Sequence, residues 1–580
     1  MNNQFFELRN KKMDTNKLAS RAQALILATL AIFVMASSAW AKTYYIDATK
    51  GNDTNNGQSS STAWKTIAKV NASSFNPGDQ ILFKKGEIWR ETLIVPSSGS
   101  SDNPITFGAY GNSNNKPIIS GADDLTAGIY KWTPSGKGTN EYYLEKVYGG
   151  NPGIIKPVLV WMDQDCLTKG TPRSLSDHQW AWGDIDRLGY NTVYIRDDSG
   201  DPDISGVLIE AGNRDTVLEI GDRSYLNFTD LELRQSDALW GGVVDIYDSR
   251  NITFENCVIH DGNYAPFFAH HSGADAPSEI TIDSCTIYGG RRVDTPYGMV
   301  VFFNECNHCT IKNSKIYESS NPTASIVIYL YKSDNNIIEY NDIYGPAGNL
   351  IYIKENSDFN IVRYNKFHDG FMGIQIRIGA NNNKVYYNIV YNTDVGPAIQ
   401  SDGDVPINGT KIYNNTIYTT GNNHNGISIH NTNTNCEVKN NIIYVGEYSF
   451  ALHIHENSKN GVISDHNLLR NLSGDLITWG DKAYTMSQFS NYQSASGQDA
   501  HSITNIPQFV SHERHDYQLK STSPCIEAGI DVKIDDVNFV KEDIQRTPIP
   551  QGDNVDMGAF EYIKIKSPAP PKDLRIVYLY

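Results

Sequence analysis

A short motif recurs nine times between residues 226 and 471, and this repeat constrains the fold more than any other feature of the chain. Each copy is a short apolar strand with a small polar residue and, shortly after it, a pair such as Ile-Tyr, as in DSCTIYG and RYNKFHD. Successive copies lie 23 to 29 residues apart, the length of one turn of a solenoid. The repeat therefore predicts coils that stack on one another. The small polar positions are Cys257, Cys285, Ser314, Asn341, Asn365, Asn388, Asn415, Asn441 and Asn467.

Coils stacked in register would place equivalent side chains in columns. The last six copies carry Asn at the small polar position, and a stacked Asn amide can donate a hydrogen bond to the side-chain carbonyl of the next coil. Asn also tolerates the left-handed backbone conformation of a tight bend. We expect a second column of stacked rings, most of them structural, formed by His260, Tyr288, Tyr317, Tyr344, His368, Tyr391, Tyr418 and Tyr444.

The sequence shows no helical periodicity, and each repeat holds short strands of alternating apolar residues. Tyr occurs 34 times, and Asn and Gly are abundant, a composition that suits many strands and turns. With its repeat, the sequence resembles the right-handed parallel β-helix superfamily, the pectate lyases and their relatives. The resemblance implies an all-β fold, a single-stranded right-handed parallel β-helix with an N-terminal cap, an inserted β subdomain and a C-terminal cap.

The segments that flank the repeat extend this resemblance. Residues 43–91 look like an N-terminal opening, with a first strand, a loop rich in Gly and Asn, a short helix and a coil strand at Gln80–Phe83. SPCIEAG (523–529) and VDMGAFEY (555–562) look like a C-terminal closure. Caps are needed because the unpaired end of a solenoid would expose sheet edges. Residues 126–205, rich in Trp, Tyr and Asp, break the repeat, and we expect their aromatic rings to be buried against the helix rather than to stack on sugars.

These observations predict how the chain is divided. The expected parts are a signal segment at 1–41, the N-terminal cap and first coils at 42–125, the inserted subdomain at 126–205, the main coils at 206–485, a C-terminal coil and cap at 486–563, and a Pro-rich tail at 564–580.

The N-terminal segment has the layout of a cleavable secretory signal. Two basic residues are followed by an apolar run and then by Ala39, Trp40 and Ala41, and Met13 is an alternative start. An uncleaved membrane anchor is the other interpretation of this segment. Because no later segment is apolar enough to span a bilayer, we expect an exported protein, secreted, periplasmic or at the cell surface, that leaves the membrane after cleavage and acts as a monomer.

Charge and cysteine content exclude several classes of function. The formal net charge is −17, which argues against nucleic acid or an anionic membrane as the partner. The seven Cys residues are an odd number without a regular framework, so we expect no disulfide scaffold. Cys306 and Cys309 lack a second pair at zinc spacing and are interpreted as buried structural thiols.

The first strands of six coils align as IYLYK, IYIKE, IQIRI, IQSDG, ISIHN and LHIHE. In stacked strands, equivalent residues lie about 4.8 Å apart, so alternate positions form continuous outward columns. Donors, charges and aromatic faces in such columns would floor a groove suited to a polysaccharide. The fourth-position column is Tyr331, Lys354, Arg377, Asp402, His430 and His455, and the second-position column is Tyr329, Tyr352, Gln375, Gln400, Ser428 and His453.

Lys354 and Arg377 are separated by 23 residues, one coil, and are therefore expected to be neighbours. Two like charges side by side favour the neutral lysine amine, which can act as a base. Cleavage of uronate polymers by β-elimination needs a base for the proton α to the carboxylate, a cation for the enolate and an acid for the leaving oxygen. The pair is similar to that of the chondroitinase B and alginate lyase group, polysaccharide lyase family six, which implies that Lys354 is the base and Arg377 the acid or charge stabiliser.

The resemblance to that group is incomplete. Its members use a calcium site with Glu-x-Glu shortly before the lysine, whereas GPAGNLIYI precedes Lys354. A lyase of this sequence would have to neutralise the substrate carboxylate with Arg377 and neighbouring His and Tyr side chains. Tyr331 is the alternative base or acid. Asp402 and Asp404 offer only two ligands to Ca²⁺, the candidate cofactor, so we assign no metal ligands. The expected substrate contacts are Tyr352, Gln375, Gln400, Asp402, His430 and His455.

Two other classes of function stay open. A glycoside hydrolase needs two carboxylates about 5–5.5 Å apart if it retains configuration or about 6.5–9.5 Å apart if it inverts. Its candidates are Asp402 and Asp404, with Glu355 or Asp369 from earlier coils, although Asp402 could equally pair with Arg377. A surface protein that binds glycans without cleaving them is the third class, and in it Lys354 and Arg377 would be a solvated charge pair.

Overall fold

The computed structural model describes residues 41–564, except 127, 129, 137–139, 145–156, 184–191, 274–275, 291–297, 320–324, 394, 422–423 and 534–539. The predicted signal segment up to residue 40 and the Pro-rich tail from residue 565 lie outside the described residues.

One coil shows how the sequence pattern becomes structure. Its three strands are Asn349–Lys354, Ile361–Arg363 and Lys366–His368, after which the next coil begins. Ile351 and Ile353 are fully buried, because successive residues of a strand point to opposite faces and these two face inward. The apolar alternation of each short strand therefore supplies the core, and the intervening residues face outward.

Among the described residues, equivalent strands of successive coils form three long sheets of 13, 13 and 12 strands. The coil strands pair in parallel, and only the last strand of the first sheet pairs antiparallel. The first sheet contains Leu93–Ile94, Leu218–Gly221, Gly242–Tyr247, Ala265–His270, Met299–Asn304, Ile326–Tyr331, Asn349–Lys354, Met372–Arg377, Ile399–Asp402, Ile427–Ile429, Leu452–Ile454, Asp475–Trp479 and Lys482–Thr485. The second contains Thr43–Ile46, Gln80–Lys84, Ile105–Tyr110, Ser224–Thr229, Arg250–Glu255, Ser278–Asp283, Thr310–Lys312, Ile337–Glu339, Ile361–Arg363, Lys384–Tyr386, Lys411–Tyr413, Cys436–Lys439 and Val462–Asp465. The third contains Ile88–Trp89, Ile118–Ser120, Glu232–Ser236, Val258–Gly262, Thr286–Gly290, Lys315–Tyr317, Asp342–Tyr344, Lys366–His368, Ile389–Tyr391, Thr416–Thr419, Ile442–Val445 and Leu468–Asn471.

These sheets confirm the predicted all-β fold, a parallel β-helix whose core lies between the three sheets. Helices are short and peripheral. Among the described residues, the α-helices are Ile67–Asn71, Pro202–Ser205 and Phe489–Ser496, and the 3₁₀ helices are Ser60–Thr62, Glu456–Gly461, Met486–Gln488 and His512–Arg514. In the part of the chain that the structure describes, no helix has the length and apolar character to cross a membrane.

Asn side chains form the predicted ladder. Nδ2 of Asn341 donates to Oδ1 of Asn365 at 3.0 Å, and Nδ2 of Asn365 donates to Oδ1 of Asn388 at 3.1 Å. Each Oδ1 also accepts from the backbone N–H of the preceding Asn in the column. The left-handed conformation falls on the residue before each Asn, such as Tyr364 (φ 58°) and Asn414 (φ 48°). The Asn column therefore holds the bend by hydrogen bonding, and the expectation that it adopts the left-handed conformation is wrong.

A second Asn ladder runs parallel to the first, and the repeat did not predict it. Nδ2 of Asn336 donates to Oδ1 of Asn360 at 3.0 Å, and Nδ2 of Asn360 donates to Oδ1 of Asn383 at 3.1 Å. These residues precede the second-sheet strands, so both turns that flank the second sheet are fastened from coil to coil.

The predicted ring column is present, with one interruption. Its first six rings stack at centroid separations of 4.7 to 4.9 Å. Tyr391 then stacks on His515 of the C-terminal segment at 4.4 Å, and the column resumes with Tyr418 and Tyr444 at 5.1 Å. The rings are therefore part of the scaffold, and the C-terminal segment packs against them.

The segment between the first coils and the main stack forms two sheets of its own. Trp180 is buried in a separate apolar cluster with Trp132 and Val193, and Trp182 packs against that cluster. These rings build the core of the inserted sheets. Our expectation that they pack against the β-helix is therefore wrong. The strands of these two sheets are Ala122–Asp124, Val160–Met162, Asp165–Cys166 and Ile209–Gly212, and Thr133–Pro134, Glu141–Leu144, Thr168–Lys169, Gln179–Gly183 and Thr192–Arg196.

Two short strand pairs complete the secondary structure of the described residues. Ile407–Asn408 pairs with Asn433–Thr434 between coils, and Phe509–Ser511 pairs with Asp516–Leu519 in the C-terminal segment. All seven Cys residues are free thiols, and Cys306 and Cys309 are buried, as predicted.

Candidate functional site

The first sheet aligns the second-position column throughout and the fourth-position column from Tyr331 to Asp402. Tyr331 is the register partner of Lys354, Lys354 of Arg377, and Arg377 of Asp402. The second-position column is in the same register from Tyr329 to His453. The structure therefore brings Lys354 and Arg377 to adjacent strands of one outward face, because the inward neighbours Ile353 and Ile376 are fully buried.

A cleft of about 840 Å³ lies on this face. Of the predicted site residues, Tyr352, Lys354 and Arg377 line it, whereas Tyr331, Gln375, Gln400, Asp402, His430 and His455 are not among its described lining residues. The apolar part of its wall comes from turns and strand starts that the column pattern did not identify. The other lining residues are Met299, Ile326, Tyr329, Gly348, Asn349, Phe371, Met372, Val395 and Gly396.

Arg377 lines the cleft, and one nitrogen of its guanidinium has no hydrogen bond to the described part of the protein. Among the described residues, its buried Nε atom has no hydrogen-bond partner. Asp402 accepts a hydrogen bond from Asn431 at 2.6 Å and forms no ion pair with Arg377, so the suggested Asp402–Arg377 pair is absent from the described contacts. Because Arg377 also lines the cleft, its guanidinium is a cation that an anionic or carbonyl group entering the cleft would meet.

Lys354 has a partner that the column pattern did not predict. Its Nζ lies 3.7 Å from Oε1 of Glu355 and 5.9 Å from the centroid of the Tyr352 ring. Glu355 was considered as a hydrolase carboxylate, but its observed role is this ion pair. The ammonium therefore sits between an acid and an aromatic face at the edge of the cleft.

Tyr352 lies next to both Lys354 and Arg377. Burial raises the pKa of Tyr352, and the neighbouring Arg377 guanidinium opposes that shift. Because the net shift is upward, the phenol stays protonated at neutral pH and can donate a proton. Tyr331, the predicted alternative acid or base, lies instead against the edge of Tyr329 at 5.9 Å and beneath the Lys332 ammonium at 5.4 Å.

The second-position column continues as an aromatic run towards the N-terminal coils. Phe268 stacks on Phe302 at 5.1 Å, Phe302 on Tyr329 at 4.8 Å, and Tyr329 on Tyr352 at 5.3 Å. The sequence alignment began at Tyr329 and missed the two Phe residues, although APFFAH and VVFFN carry them at the same strand position. Tyr329 and Tyr352, the last two rings of the run, line the cleft.

The remaining predicted contacts lie further along the same face. Nε2 of Gln375 donates to Oε1 of Gln400 at 2.7 Å, and both side chains are largely buried. The rings of His430 and His453 are 4.6 Å apart, and those of His430 and His455 are 6.0 Å apart. Burial, followed by the two neighbouring His residues, lowers the pKa of His453 to about 4, and burial also lowers the pKa of His430.

Two of the carboxylates proposed for hydrolysis lie outside the strands of the first sheet. Asp369 follows a third-sheet strand, where its carboxylate binds His368 at 2.7 Å and Asn392 at 3.1 Å, and Asp404 is exposed in a loop. Another acidic pair does lie on the first sheet, because Glu219 and Asp245 are register partners on adjacent strands. Glu219 accepts from the Tyr247 hydroxyl at 2.8 Å, and Asp245 contacts His270 at 3.1 Å. The alignment missed this pair because it started several coils later.

Comparison with known proteins agrees with this architecture. The family of right-handed β-helix regions matches residues 216–322 and 242–417. The chain has the fold of a right-handed parallel β-helix. Its β-helix resembles that of XylC, solved in complex with xylose, with a TM-score of 0.63 at 12% identity over 90% of this chain and 98% of XylC. At this level of identity the likeness shows the fold alone.

Other similarities of this β-helix protein are more limited. The pectate lyase Pel9A aligns with a TM-score of 0.43 at 13% identity, covering 90% of this chain and 96% of Pel9A. A lacto-N-biosidase of Bifidobacterium longum subsp. longum is 39% identical over 82 residues, 13% of this chain. The match spans 5% of that curated relative's length, so it does not describe the whole protein.

Proposed function

We propose that this β-helix protein acts on carbohydrate, as a polysaccharide lyase that cleaves a uronate-containing polymer by β-elimination. The observation that carries the proposal is the Arg377 guanidinium, which lines the cleft beside Lys354 of the adjacent strand. A substrate carboxylate is the anion that two neighbouring cations in a cleft would bind. A carbohydrate ligand also agrees with the shared fold of XylC, which was solved with xylose.

The cleft residues take separate roles in this reaction. Arg377 binds the uronate carboxylate and stabilises the negative charge that develops when the α proton leaves. Lys354 is the base that accepts this proton. Its ion pair with Glu355 must open before its amine can do so. Tyr352, whose phenol carries a proton, donates that proton to the glycosidic oxygen as the bond from this oxygen to the ring carbon breaks. We assign this step to Tyr352 rather than to Tyr331 because Tyr352 lines the cleft.

Calcium dependence stays a hypothesis. Asp402 is the acid of the fourth-position column, and one of its oxygens is already bound by Asn431. If Arg377 neutralises the substrate carboxylate, turnover should persist after chelation. Loss of activity in chelator that Ca²⁺ restores would assign that role to the cation.

The test is incubation of the protein with a panel of polyuronates while ultraviolet absorbance is recorded. Elimination alone creates a conjugated double bond at the new non-reducing end, so a lyase raises the absorbance in step with chain shortening. New reducing ends without absorbance would contradict the lyase and favour hydrolysis. Binding without either product would favour a glycan-binding protein.

Hydrolysis is the second candidate, and one observation favours it. Glu219 and Asp245 occupy adjacent strands of the first sheet, which lie about 4.8 Å apart, close to the separation of about 5–5.5 Å in retaining glycosidases. If this pair is catalytic, Glu219→Gln abolishes release of reducing ends while Lys354→Ala leaves it unchanged. Loss of reducing-end release in Lys354→Ala but not in Glu219→Gln would contradict the hydrolase hypothesis.

We also propose that the protein is exported through the signal segment at residues 13–41 and acts outside the cytoplasm as a soluble monomer. A polymeric substrate cannot enter a cell, so its cleavage requires an exported enzyme. N-terminal sequencing of the protein from its producing cells should give a mature chain starting near Lys42. An intact N-terminus that stays with the membrane fraction would show an anchor instead.

A further inference from the structure

Three potential metal-ligating side chains converge where the last coil meets the C-terminal segment, away from the first sheet. Asp465 ends the last strand of the second sheet, His466 follows it, and His501 comes from the chain beyond the Phe489–Ser496 helix. One ligand atom from each residue lies within 4.8 Å of the others.

The Asp465 carboxylate is oriented by the backbone. Its Oδ1 accepts the backbone N–H of His466 at 2.9 Å and that of His501 at 2.8 Å. Its Oδ2 then faces both imidazoles, 2.8 Å from Nδ1 of His501 and 3.3 Å from Nδ1 of His466. Fixing one carboxylate oxygen through hydrogen bonds leaves the other as a positioned ligand, as in the outer shell of metal sites.

One nitrogen in this cluster has only a long polar contact. Nδ1 of His466 is buried, and its polar neighbour within the described part of the chain is Oδ2 of Asp465 at 3.3 Å, a contact that does not meet the geometry of a hydrogen bond. A buried polar atom without a partner is unusual in a folded protein and calls for a physical reason. An ion bound between Asp465 and the two imidazoles would give this nitrogen a partner.

Two of the three ligand spacings are close to those around a tetrahedral ion, and the third lies between two imidazoles whose rings stack at 4.6 Å. Ligand bonds of about 2.0–2.2 Å at tetrahedral angles place neighbouring ligand atoms about 3.4 Å apart. The His466–Asp465 separation is 3.3 Å, and the 2.8 Å separation to His501 needs only a small rotation of an imidazole that is 66% exposed. The exposed side of His501 leaves room for a water as the fourth ligand.

From this geometry we propose that Asp465, His466 and His501 bind a divalent first-row transition ion, for which Zn²⁺ is the natural probe. Two imidazoles and one carboxylate are ligands that zinc accepts, whereas Ca²⁺ prefers a shell of oxygens. Lys439, the register partner of Asp465, is the nearby positive charge, and its ammonium is engaged by Glu437 at 2.5 Å.

The ion would be structural. Its ligands come from the last coil and from the segment that covers it, so binding fastens the cap to the helix end. A solenoid end is where unpaired strand edges are exposed, so stabilising the cap protects the whole stack from fraying. The site is separate from the cleft, and its existence does not depend on the proposed lyase reaction.

The experiment is calorimetric titration of the full, tag-free chain with ZnCl₂ after dialysis against chelator, together with thermal unfolding with and without zinc. We expect one zinc per chain and an unfolding midpoint that rises with zinc. In His501→Ala the affinity should fall by more than the roughly 10- to 100-fold that loss of an outer-shell partner costs, and the rise in midpoint should disappear. His501 is the residue of choice because its exposed side chain can be removed without opening the core.

Two matched variants control for other His residues. His178, beside Asp177 at 3.1 Å, is an exposed His–Asp pair, and His453 belongs to the His cluster near the cleft. His178→Ala and His453→Ala should bind zinc as the wild type does. Absence of saturable zinc binding, full affinity in His501→Ala, loss in His453→Ala instead, or an equal response to Ca²⁺ would each overturn the proposal.

Discussion

At the scale of single residues, Lys354 and Arg377 have different surroundings in the cleft. Lys354 has a carboxylate partner in Glu355, whereas Arg377 has a buried nitrogen without one. A guanidinium in that state is suited to bind a fork-shaped anion such as a carboxylate. The proposed roles of the residues rest on this difference.

The first prediction concerns the cations. Arg377→Ala should lower kcat on a polyuronate about 100- to 1000-fold, the usual loss when a group that stabilises developing charge is removed. Lys354→Ala should lower kcat by a similar or larger factor, about 100- to 10,000-fold, because it removes the base. The measurement is the initial rate of ultraviolet absorbance increase. Lys332→Ala, an exposed lysine of the neighbouring coil, is the matched control and should be fully active.

The second prediction concerns the acid. Tyr352→Phe keeps the ring that stacks on Tyr329 but removes the hydroxyl, so KM should change little while kcat falls about 100-fold or more. Tyr331→Phe should leave kcat unchanged. If Tyr331→Phe is the inactive variant, the assignment of Tyr352 as the acid is wrong.

At the scale of elements, the turns of each coil are held by Asn ladders rather than by backbone pairing alone. Asn365 donates from Nδ2 to the backbone carbonyl of Ile338 at 2.8 Å and accepts at Oδ1 from the backbone N–H of Asn341 at 3.0 Å. Since each buried polar group left unpaired costs about 1–3 kcal/mol, one Asn carries a large share of a coil's local stability.

The third prediction follows from this ladder. Asn365→Ala should lower the free energy of unfolding by about 2–6 kcal/mol, because it leaves at least two buried backbone groups without partners. Hydrogen exchange should accelerate at Asn341 and its neighbouring coils first, since a solenoid transmits stability between adjacent repeats. Asn491→Ala, at an exposed helical position, is the control, and equal destabilisation by both variants would refute the ladder's role.

At the scale of the whole molecule, the C-terminal cap carries buried acids. Burial, reinforced by the charge of Asp556, raises the pKa of Glu561 to about 7, and burial raises the pKa of Asp556 itself to about 6. Both groups hold a proton more tightly in the folded protein than in the unfolded chain. Their contribution is therefore fully present below about pH 4 and is lost as the pH rises through 6 to 7.

The fourth prediction is a pH-dependent difference between variants. Glu561→Gln cannot ionise, so its stability relative to the wild type should be about 2.5 kcal/mol greater at pH 8 than at pH 5, which is most of the equivalent of the pKa shift. Thermal unfolding at the two pH values measures this difference. Glu513→Gln, an exposed acid of the same segment, should show no such change, and a pH-independent effect of Glu561→Gln would contradict the assignment.

The sequence by itself determined the coil. A repeat of 23 to 29 residues with alternating apolar positions leaves few ways to bury its side chains other than stacking, and stacking then dictates that Tyr331, Lys354 and Arg377 are neighbours. The Asn ladder and the ring column follow from the same register. Periodic features are predictable because equivalent residues of successive repeats lie next to each other in the stack.

Only the tertiary structure decided which column residues share a cleft. The walls come from turns such as those at Gly348, Phe371 and Val395, whose lengths vary between coils and carry no period. Some contacts involve residues that do not belong to the repeat. The ion pair of Lys354 with Glu355 is one, and the cluster of Asp465 with the distant His501 is another. Such contacts depend on how loops and the cap fold back. Register places residues along a face, but depth, partners and access arise from non-repeating segments that meet only in three dimensions.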